Sequence, residues 1–437
     1  MALGVVAAGC SDKDADEPTP IVTPQDPDDD DNQGDNEGDG DENNGDEGDE
    51  NTKEMKYRVA QLSIDTGGAA ISTKTEYVPC TVTIDADGEE WDYEGTAGIR
   101  GRGNSSWEWY PKKPYRIKLD KKAELMGMGS GKSWVLLANY RDPTDLMNTF
   151  VFELGELAGL QYTNHTRYVE VTLNGEYIGL YQLTEQVQQG KGRVNIDEKE
   201  GYLLSLDRDD GPELAPEETD NFWSEVYRMP VCVKNPDEPS AEVLAEAKSE
   251  LAILERAIKA KDYELVKTLL DVESFIDYVM IQEMVYNVEL DAPRSMFMYR
   301  DKDEEQWHMG PLWDFDAGYD FDWSNMYTGH TFFTNHKELV LGTNPYTHAG
   351  TSYEVPGFFS DLFGVEEFVS DYKTRWKHMR DYVLQAWEAS KLYVDDDVWQ
   401  REQDTWPISK TYSTELNRMQ NWINNRRVYL DSVIDGY

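Results

Sequence analysis

The sequence predicts an α+β fold in which a strand-rich part precedes a helical part. In the first part, from about residue 57, β-branched and aromatic residues alternate with polar ones in short runs separated by Gly-rich turns. From about residue 240, apolar residues recur at helical spacing instead. The chain has 437 residues, of which 12% are aromatic, so it contains enough apolar material for a sizeable core.

The segment before the fold, residues 11–54, contains almost no aliphatic side chains and cannot bury enough surface to offset the entropy of ordering. We predict a disordered acidic linker, extended by its own charge repulsion. Residues 12–54 carry 19 acids and two lysines, a net charge of −17. The net charge of the whole chain is −45, so the rest of the chain carries −28. Because the rest of the chain is also acidic, we expect no broad basic surface and no nucleic-acid partner.

The first ten residues, MALGVVAAGC, form a short apolar run that ends in small residues and Cys10. This pattern is typical of the end of a bacterial lipoprotein signal peptide, with lipid attached to Cys10 after cleavage. The alternative is a disordered N-terminus with an incidental cysteine. If Cys10 is lipidated, Cys80 and Cys232 are left as one pair, and the sequence does not decide whether they form a disulfide.

The folded domain is predicted to cover residues 55–437, with a β-rich lobe at about 55–235 and a helical lobe at about 240–437. The clearest strand signal is a hairpin of residues 167–173 and 176–184 around Asn174-Gly175, a strongly preferred two-residue turn. The other predicted strands are 57–64, 76–84, 91–99, 112–119, 132–139, 201–206 and 231–233.

Helices are predicted where apolar residues follow helical spacing behind a capping residue. The first covers 144–157, with Thr144 as the candidate N-cap, and ends at Gly159. The later ones are 241–260, 263–270, 272–288 and much of 359–437, while 317–358 has the composition of a long irregular loop.

A second hairpin lies within residues 287–316. A strand at 295–300 and a charged turn at 301–306 separate Asp291 from Asp314 and Asp316. A hairpin brings its two ends together, so Asp291 and Asp314 are expected to be neighbours, as a magnesium–phosphate site requires. The alternative is that they are turn and cap residues, in which Asp is common.

The Gly-rich stretch at 101–106, GRGNSS, is a candidate anion-binding loop. Its glycines permit close backbone approach to a phosphate, and Arg102 supplies a bidentate donor. Lys118 lies on the following strand. An ordinary β-turn with exposed basic residues is the alternative. Glu185, after the strand that ends at 184, is either a hinge acceptor or a surface acid.

Several other motifs are absent or incomplete. The stretch GSGKS at 129–133 resembles a phosphate-binding P-loop, but strand-like residues follow it where the motif needs a helix. The six His show no zinc spacing, and there is no GxSxG elbow of an esterase. Paired carboxylates for glycosidic cleavage remain an alternative, because their separation cannot be read from sequence.

Five motifs in this order resemble the CotH (spore coat protein H) kinase-like family, over roughly residues 56–437. They are GRGNSSW at 101–107, PKKPYRIK at 111–118, WVLLAN at 134–139, GLYQLTE at 179–185 and GPLWDFD at 310–316. The resemblance implies a two-lobed atypical protein-kinase fold that uses ATP and Mg²⁺ or Mn²⁺ to phosphorylate Ser/Thr hydroxyls of secreted or surface proteins.

The resemblance also implies roles for individual residues. Asp291 matches the catalytic aspartate that orients the substrate hydroxyl, and Asp314 matches the metal-binding aspartate, with Asp316 in support. The expected nucleotide-binding residues are Gly101, Arg102, Gly103, Asn104, Ser105, Lys118, Glu153 and Glu185. Among these, Lys118 would pair with phosphates, Glu153 on the helix would orient Lys118, and Glu185 would lie at the hinge.

The sequence departs from the kinase pattern at one position. Kinase catalytic loops carry an Asn five residues after the catalytic Asp, as a ligand for a second metal. Here that position is Met296, beside Ser295. The alternative to an active kinase is therefore a catalytically weak or inactive surface binding or adhesion protein with the same fold.

The residues after Cys10, SDKD, resemble the export signals of Bacteroidetes surface lipoproteins. Together with the lipid anchor, they imply an extracytoplasmic protein at the outer membrane or cell surface.

Overall fold

The computed structural model describes residues 55–88, 90–290, 293–320, 336–341, 355–408 and 410–437. The strands in chain order are β1 (Ala60–Asp65), β2 (Val78–Asp85), β3 (Tyr93–Gly101), β4 (Tyr115–Ala123), β5 (Gly131–Leu137), β6 (Thr166–Leu173), β7 (Glu176–Glu185), β8 (Tyr202–Leu206), β9 (Asn221–Trp223), β10 (Pro230–Asn235), β11 (Met296–Arg300) and β12 (His308–Met309). The helices are α1 (Ser105–Glu108), α2 (Met147–Ala158), α3 (Ala241–Ala260), α4 (Tyr263–Leu269), α5 (Val272–Met284), α6 (Glu366–Ser390), α7 (Asp396–Thr405) and α8 (Tyr412–Asp435).

The first seven strands close into a barrel in the order β1-β2-β3-β4-β5-β7-β6, and β6 pairs with β1 in parallel. Alternate residues point inward, so the barrel is filled by one face of each strand. Its core includes Leu62, Val82, Ile117, Trp134 and Leu183. The predicted Asn174-Gly175 turn is confirmed, and both of its residues have the positive φ that this hairpin type needs.

A second sheet has the order β12-β11-β8-β10-β9. Its β11–β12 pair is the predicted second hairpin, with Met298 opposite Met309. α5 and α2 pack against α6, and α5 also packs against β12. One continuous core connects the outer face of β5–β7 with these helices, through side chains such as Phe150, Leu180 and Leu254.

The predicted α+β class is confirmed by this mixture of a barrel, a second sheet and helices. The predicted helix at 241–260 is confirmed at both ends, and Ser240 caps it. The predicted cap of α2 was wrong, because the helix begins at Met147 and the Asp142 carboxylate accepts the Met147 N–H at 2.7 Å. None of the described helices is long and apolar enough to cross a membrane.

Both cysteines in the described part of the chain, Cys80 in β2 and Cys232 in β10, are buried free thiols. Burial raises the pKa of Cys80 to about 11 and that of Cys232 to about 12. Neither thiol is therefore ionised near neutral pH. Cys10 lies outside the described residues, as does the rest of the predicted signal peptide and linker.

Candidate functional site

A cleft of about 180 Å³ lies where the barrel meets the second sheet. The segments around it include the Gly-rich loop after β3, residues 186–188 after β7, the loop after β8, the segment before β11 and the segment after β12. Its charged lining residues are Arg100, Arg102, Arg116, Arg141, Asp207, Asp209, Asp210, Lys234, Glu289, Arg294, Asp314 and Asp316. The cleft thus combines buried cations on its barrel side with carboxylates on the opposite side.

The Gly-rich loop depends on its two glycines. Gly103 has φ +82°, and a Cβ there would collide with the Ser106 hydroxyl. A Cβ at Gly101 would lie 2.6 Å from the Trp107 ring. The resulting tight turn lets Arg102 and Asn104 reach across the cleft.

Two contacts connect this loop to the opposite wall. The Arg102 guanidinium lies 5.7 Å from the centre of the Trp313 ring, and Asn104 Nδ2 donates to Asp209 Oδ2 at 3.2 Å. Gly101, Arg102, Gly103, Asn104 and Ser105 were predicted as an anion-binding loop. The structure places four of them, Arg102 to Ser105, in the cleft lining and Gly101 at its edge.

The barrel side of the cleft presents arginines from adjacent strands. Arg100 on β3 is directly opposite Arg116 on β4. Arg116 is only 1% exposed, and its Nη2 donates to Ser133 Oγ on β5 at 3.3 Å. Guanidinium groups bind phosphate oxygens with paired hydrogen bonds, so this face suits a polyphosphate.

The carboxylate side is centred on Asp314, which has φ +64° and accepts a hydrogen bond from Ser295 Oγ at 3.4 Å. Burial, with a further contribution from Asp316, raises the pKa of Asp314 to about 6. A nearby cation would therefore stabilise the ionised form.

Asp316, predicted as a supporting metal ligand, is held by a cation of the protein itself. Arg141, from the segment before α2, contacts both oxygens of Asp316, with Nε 3.2 Å from Oδ2 and Nη2 bonded to Oδ1. This bidentate geometry makes Asp316 an anchor for Arg141 and for the backbone that carries Asp314.

The loop after β8 supplies carboxylates that the sequence analysis missed. Asp207 Oδ2 accepts the Ser295 N–H at 3.1 Å, and Asp210 pairs with Lys234 at 2.6 Å. Burial and the neighbouring Asp210 and Asp209 raise the pKa of Asp207 to about 7. The acidic run Asp207-Arg-Asp-Asp210 after a strand was the available sequence signal.

Glu289 was also missed. It lies in a 3-10 turn, Val288–Leu290, and is 9% exposed at the cleft. Its pKa is well above the usual range because of burial and then the Asp314 charge. Asp291, the predicted catalytic residue two positions later, lies outside the described residues, so its distance from Asp314 is not described.

Lys118 is not in this cleft. It lies on β4 two residues beyond Arg116, on the same face and roughly 7 Å further from the Gly-rich loop. There it lines a separate, open pocket of about 820 Å³ together with Asp120 and Lys132. The structure therefore gives Arg116 the position facing the cleft that the resemblance implied for Lys118.

Glu153 does not face Lys118 either. Its Oε1 pairs with Lys56 at 2.6 Å and accepts from the Tyr393 hydroxyl at 2.5 Å. These contacts connect α2 to the start of the domain and to the segment after α6. They place Glu153 in a structural ion pair outside the cleft lining.

Glu185 lines a second cavity, of about 480 Å³, which shares residues 186–188 as a wall with the cleft. Its carboxylate accepts the His165 backbone N–H at 2.9 Å, and its Oε1 lies 2.8 Å from His165 Nδ1. Arg193 Nη1 lies 4.0 Å from the same oxygen. The predicted hinge residue thus lies behind the segment that borders the cleft.

The His165–Glu185 contact predicts a pH-dependent contribution to stability. The hydrogen bond between His165 and Glu185 raises the pKa of His165 above 6.5, because it outweighs burial, which lowers that pKa. Because protonation is favoured in the fold, the contribution is complete below pH 6.5 and is lost as the pH rises through the folded pKa. We expect His165→Gln to lower the melting temperature at about pH 5.5 and to have little effect at about pH 8.5. An equal loss at both pH values would contradict this.

The placement of Arg116 and Lys118 predicts unequal effects on anion binding. We expect Arg116→Met to weaken the binding of inorganic triphosphate by at least about tenfold, because a buried cation that lines the cleft is lost. Lys118→Met should change the affinity by less than about threefold. Calorimetric titration with triphosphate, with circular dichroism to check folding, measures both. The reverse ranking would show that Lys118 contacts the phosphates.

The residues of the cleft fit a divalent cation bound together with phosphate. The buried Glu289 and the half-buried Asp314 line the same cleft, and the Asp314 charge contributes to the raised pKa of Glu289. Carboxylate oxygens are ligands that Mg²⁺ prefers. Within the described ranges, no three His, Cys, Asp or Glu side chains form a metal-binding group by themselves. Phosphate oxygens and water would have to complete the coordination, as is usual for Mg²⁺.

The sequence matches the family described as CotH kinase protein over residues 99–430. The match includes the Gly-rich loop, the cleft arginines and the segment that carries Asp314. No curated protein matches the chain in sequence.

Proposed function

The chain belongs to the CotH kinase protein family, and from this premise we propose that it is an ATP-dependent kinase acting on Ser/Thr hydroxyls of proteins. The observation that carries the proposal is the cleft itself. Arginines of β3 and β4, a Gly-rich loop and the half-buried Asp314 line the same cavity. Phosphoryl transfer depends mainly on positioning and charge neutralisation, which this set can supply.

In the proposed reaction, Arg102 and Arg116 hold phosphate oxygens while Gly101 and Gly103 let the loop backbone approach them. Asp314 would hold the divalent cation, which would neutralise part of the phosphate charge. Asp291 orients the acceptor hydroxyl and accepts its proton. The bond between the γ-phosphorus and the ADP oxygen breaks, a bond to the hydroxyl oxygen forms, and ADP leaves.

The experiment is incubation with γ-labelled ATP and Mg²⁺ or Mn²⁺, with a Ser/Thr peptide library as acceptor. We expect labelled phosphoserine or phosphothreonine with wild type and strongly reduced label with Asp291→Asn. Glu305→Gln serves as a control, because it replaces an exposed acid in the β11–β12 turn. The proposal fails if no label is transferred with either metal, or if Asp291→Asn transfers as much as wild type.

The second candidate, a non-catalytic surface binding protein, is favoured by Met296. Its Sδ lies 3.3 Å from the Tyr278 hydroxyl and 3.4 Å from Gln282 Nε2, so the side chain packs against α5. A metal ligand is therefore not provided by this position. Binding of an ATP analogue without any phosphate transfer would support this candidate.

We also propose that the protein is a lipid-anchored, extracytoplasmic protein, as the pattern ending in Cys10 and the acidic segment after it imply. Cys10→Ala is expected to move most of the protein from the membrane fraction to the soluble fraction of producing bacteria, because the lipid chains are lost. Immunoblots of the two fractions measure this. Unchanged membrane association would contradict the anchor, and with it the location.

A further inference from the structure

Glu289 differs from the other carboxylates on its side of the cleft. Asp314 accepts from Ser295 Oγ, Asp316 is held by Arg141, and Asp207 accepts the Ser295 N–H. Glu289 Oε2 is buried but has no hydrogen-bond partner among the described residues. It nevertheless lines the cleft.

An unpartnered buried carboxylate oxygen is energetically unfavourable, and a second carboxylate nearby increases the cost. The Asp314 charge is the largest electrostatic influence on Glu289, with Arg294 and Arg141 opposing it from a distance. An apolar residue of similar size would avoid this cost. The presence of a carboxylate at this position in spite of its cost therefore indicates that a cation binds to it.

The backbone explains why Glu289, and not residue 296, can act as a ligand in the cleft. Met296 begins β11 and its side chain is directed towards α5, where it contacts Tyr278 and Gln282. Ser295 has φ +54° and directs its hydroxyl to Asp314. Ser295 thus contacts Asp314 directly, whereas Glu289 lines the same cleft and is near enough for the Asp314 charge to raise its pKa.

We propose that Glu289 is a direct carboxylate ligand of the divalent cation in the cleft, together with Asp314, and replaces the ligand that the catalytic loop lacks at Met296. This inference rests on the proposed kinase function. Mg²⁺ sites commonly combine one or two carboxylates with phosphate oxygens and water. The cation should therefore bind more tightly when a nucleotide triphosphate is present.

The test is Mn²⁺ binding, measured from the electron paramagnetic resonance signal of free Mn²⁺, with a non-hydrolysable ATP analogue present. We expect Glu289→Gln to weaken Mn²⁺ binding by at least about tenfold. Glu289→Asp should retain part of the affinity, and Glu305→Gln should bind like wild type. The melting temperature of Glu289→Gln without metal should equal or exceed that of wild type, since Gln is neutral and avoids the cost of a carboxylate that burial and Asp314 disfavour.

The outcomes separate this inference from the function on which it rests. If Glu289→Gln binds Mn²⁺ like wild type while Asp314→Asn does not, Glu289 is not a ligand and the kinase proposal is unaffected. If Glu289→Gln melts well below wild type without metal, its role is structural and the inference is overturned. If wild type itself does not bind Mn²⁺ with the analogue, both the inference and the proposed metal use fail.

Discussion

Asp314→Asn is expected to reduce phosphate transfer from ATP by at least about 100-fold without unfolding the protein. The substitution keeps the shape of the side chain and its contact with Ser295, but removes the charge that would bind the cation. Stability should be retained or increased, because burial and Asp316 both disfavour the ionised carboxylate. Transfer from γ-labelled ATP and thermal unfolding measure the two effects.

Asp210→Asn is a suitable comparison within the same cleft. This carboxylate also lines it, but pairs with Lys234 rather than facing Asp314. We expect a much smaller loss of transfer in Asp210→Asn than in Asp314→Asn. If the two variants lose transfer activity equally, the loss in Asp314→Asn comes from the changed net charge of the cleft and not from lost cation binding.

Arg141→Met is expected to lower the free energy of unfolding by about 3–5 kcal/mol, because it leaves a carboxylate without its buried partner. The side chains of Arg141 and Asp316 are 7% and 19% exposed, and the pair is bidentate. Asp314 is two residues away, so its position should also become less defined. Urea unfolding measures the stability change and phosphate transfer measures the effect on the site.

A double-mutant cycle identifies the cause. In Arg141→Met with Asp316→Asn, the charge left behind by the first change is removed, so much of the stability should return. Transfer activity should remain low in the double variant, because the bidentate anchor is still missing. Additive losses of stability would show that the two side chains do not interact energetically.

The local parts of the fold were predictable because their signals are local. The Asn174-Gly175 turn sets the register of β6 and β7, with Leu173 opposite Glu176. Ser240 marks the start of α3. The closure of the barrel was not predictable, because it depends on the parallel pairing of β1 with β6, more than 100 residues apart in sequence. Likewise, α2 is capped by Asp142, five residues before the first helical N–H, and not by Thr144.

The candidate site was likewise predictable where its signals are local, and not where it depends on contacts between distant parts of the chain. The Gly-rich loop and Asp314 were predicted from short motifs, and the structure brings them into one cleft. Arg141 was not predicted, because its partner Asp316 is 175 residues away in sequence. Lys118 was favoured over Arg116 although both point to the same face of β4. Only the register with β3, which puts Arg116 opposite Arg100, shows which of them reaches the cleft.

Glu289 could not have been identified from sequence either. No motif marks a single Glu in a 3-10 turn, and its distinguishing feature is the missing hydrogen-bond partner of its side chain. Its oxygen has no partner in the described part of the chain, which only the packed structure reveals.

The most direct test of the central claim is the position of Mn²⁺ in crystals grown with a non-hydrolysable ATP analogue. The anomalous signal of the metal should lie about 2 Å from a carboxylate oxygen of Asp314, with the analogue's phosphates against Arg102 and Arg116. The claim would be contradicted if the analogue and its metal were bound in the cavity beside His165 and Glu185, or in the pocket of Lys118, and not in the cleft.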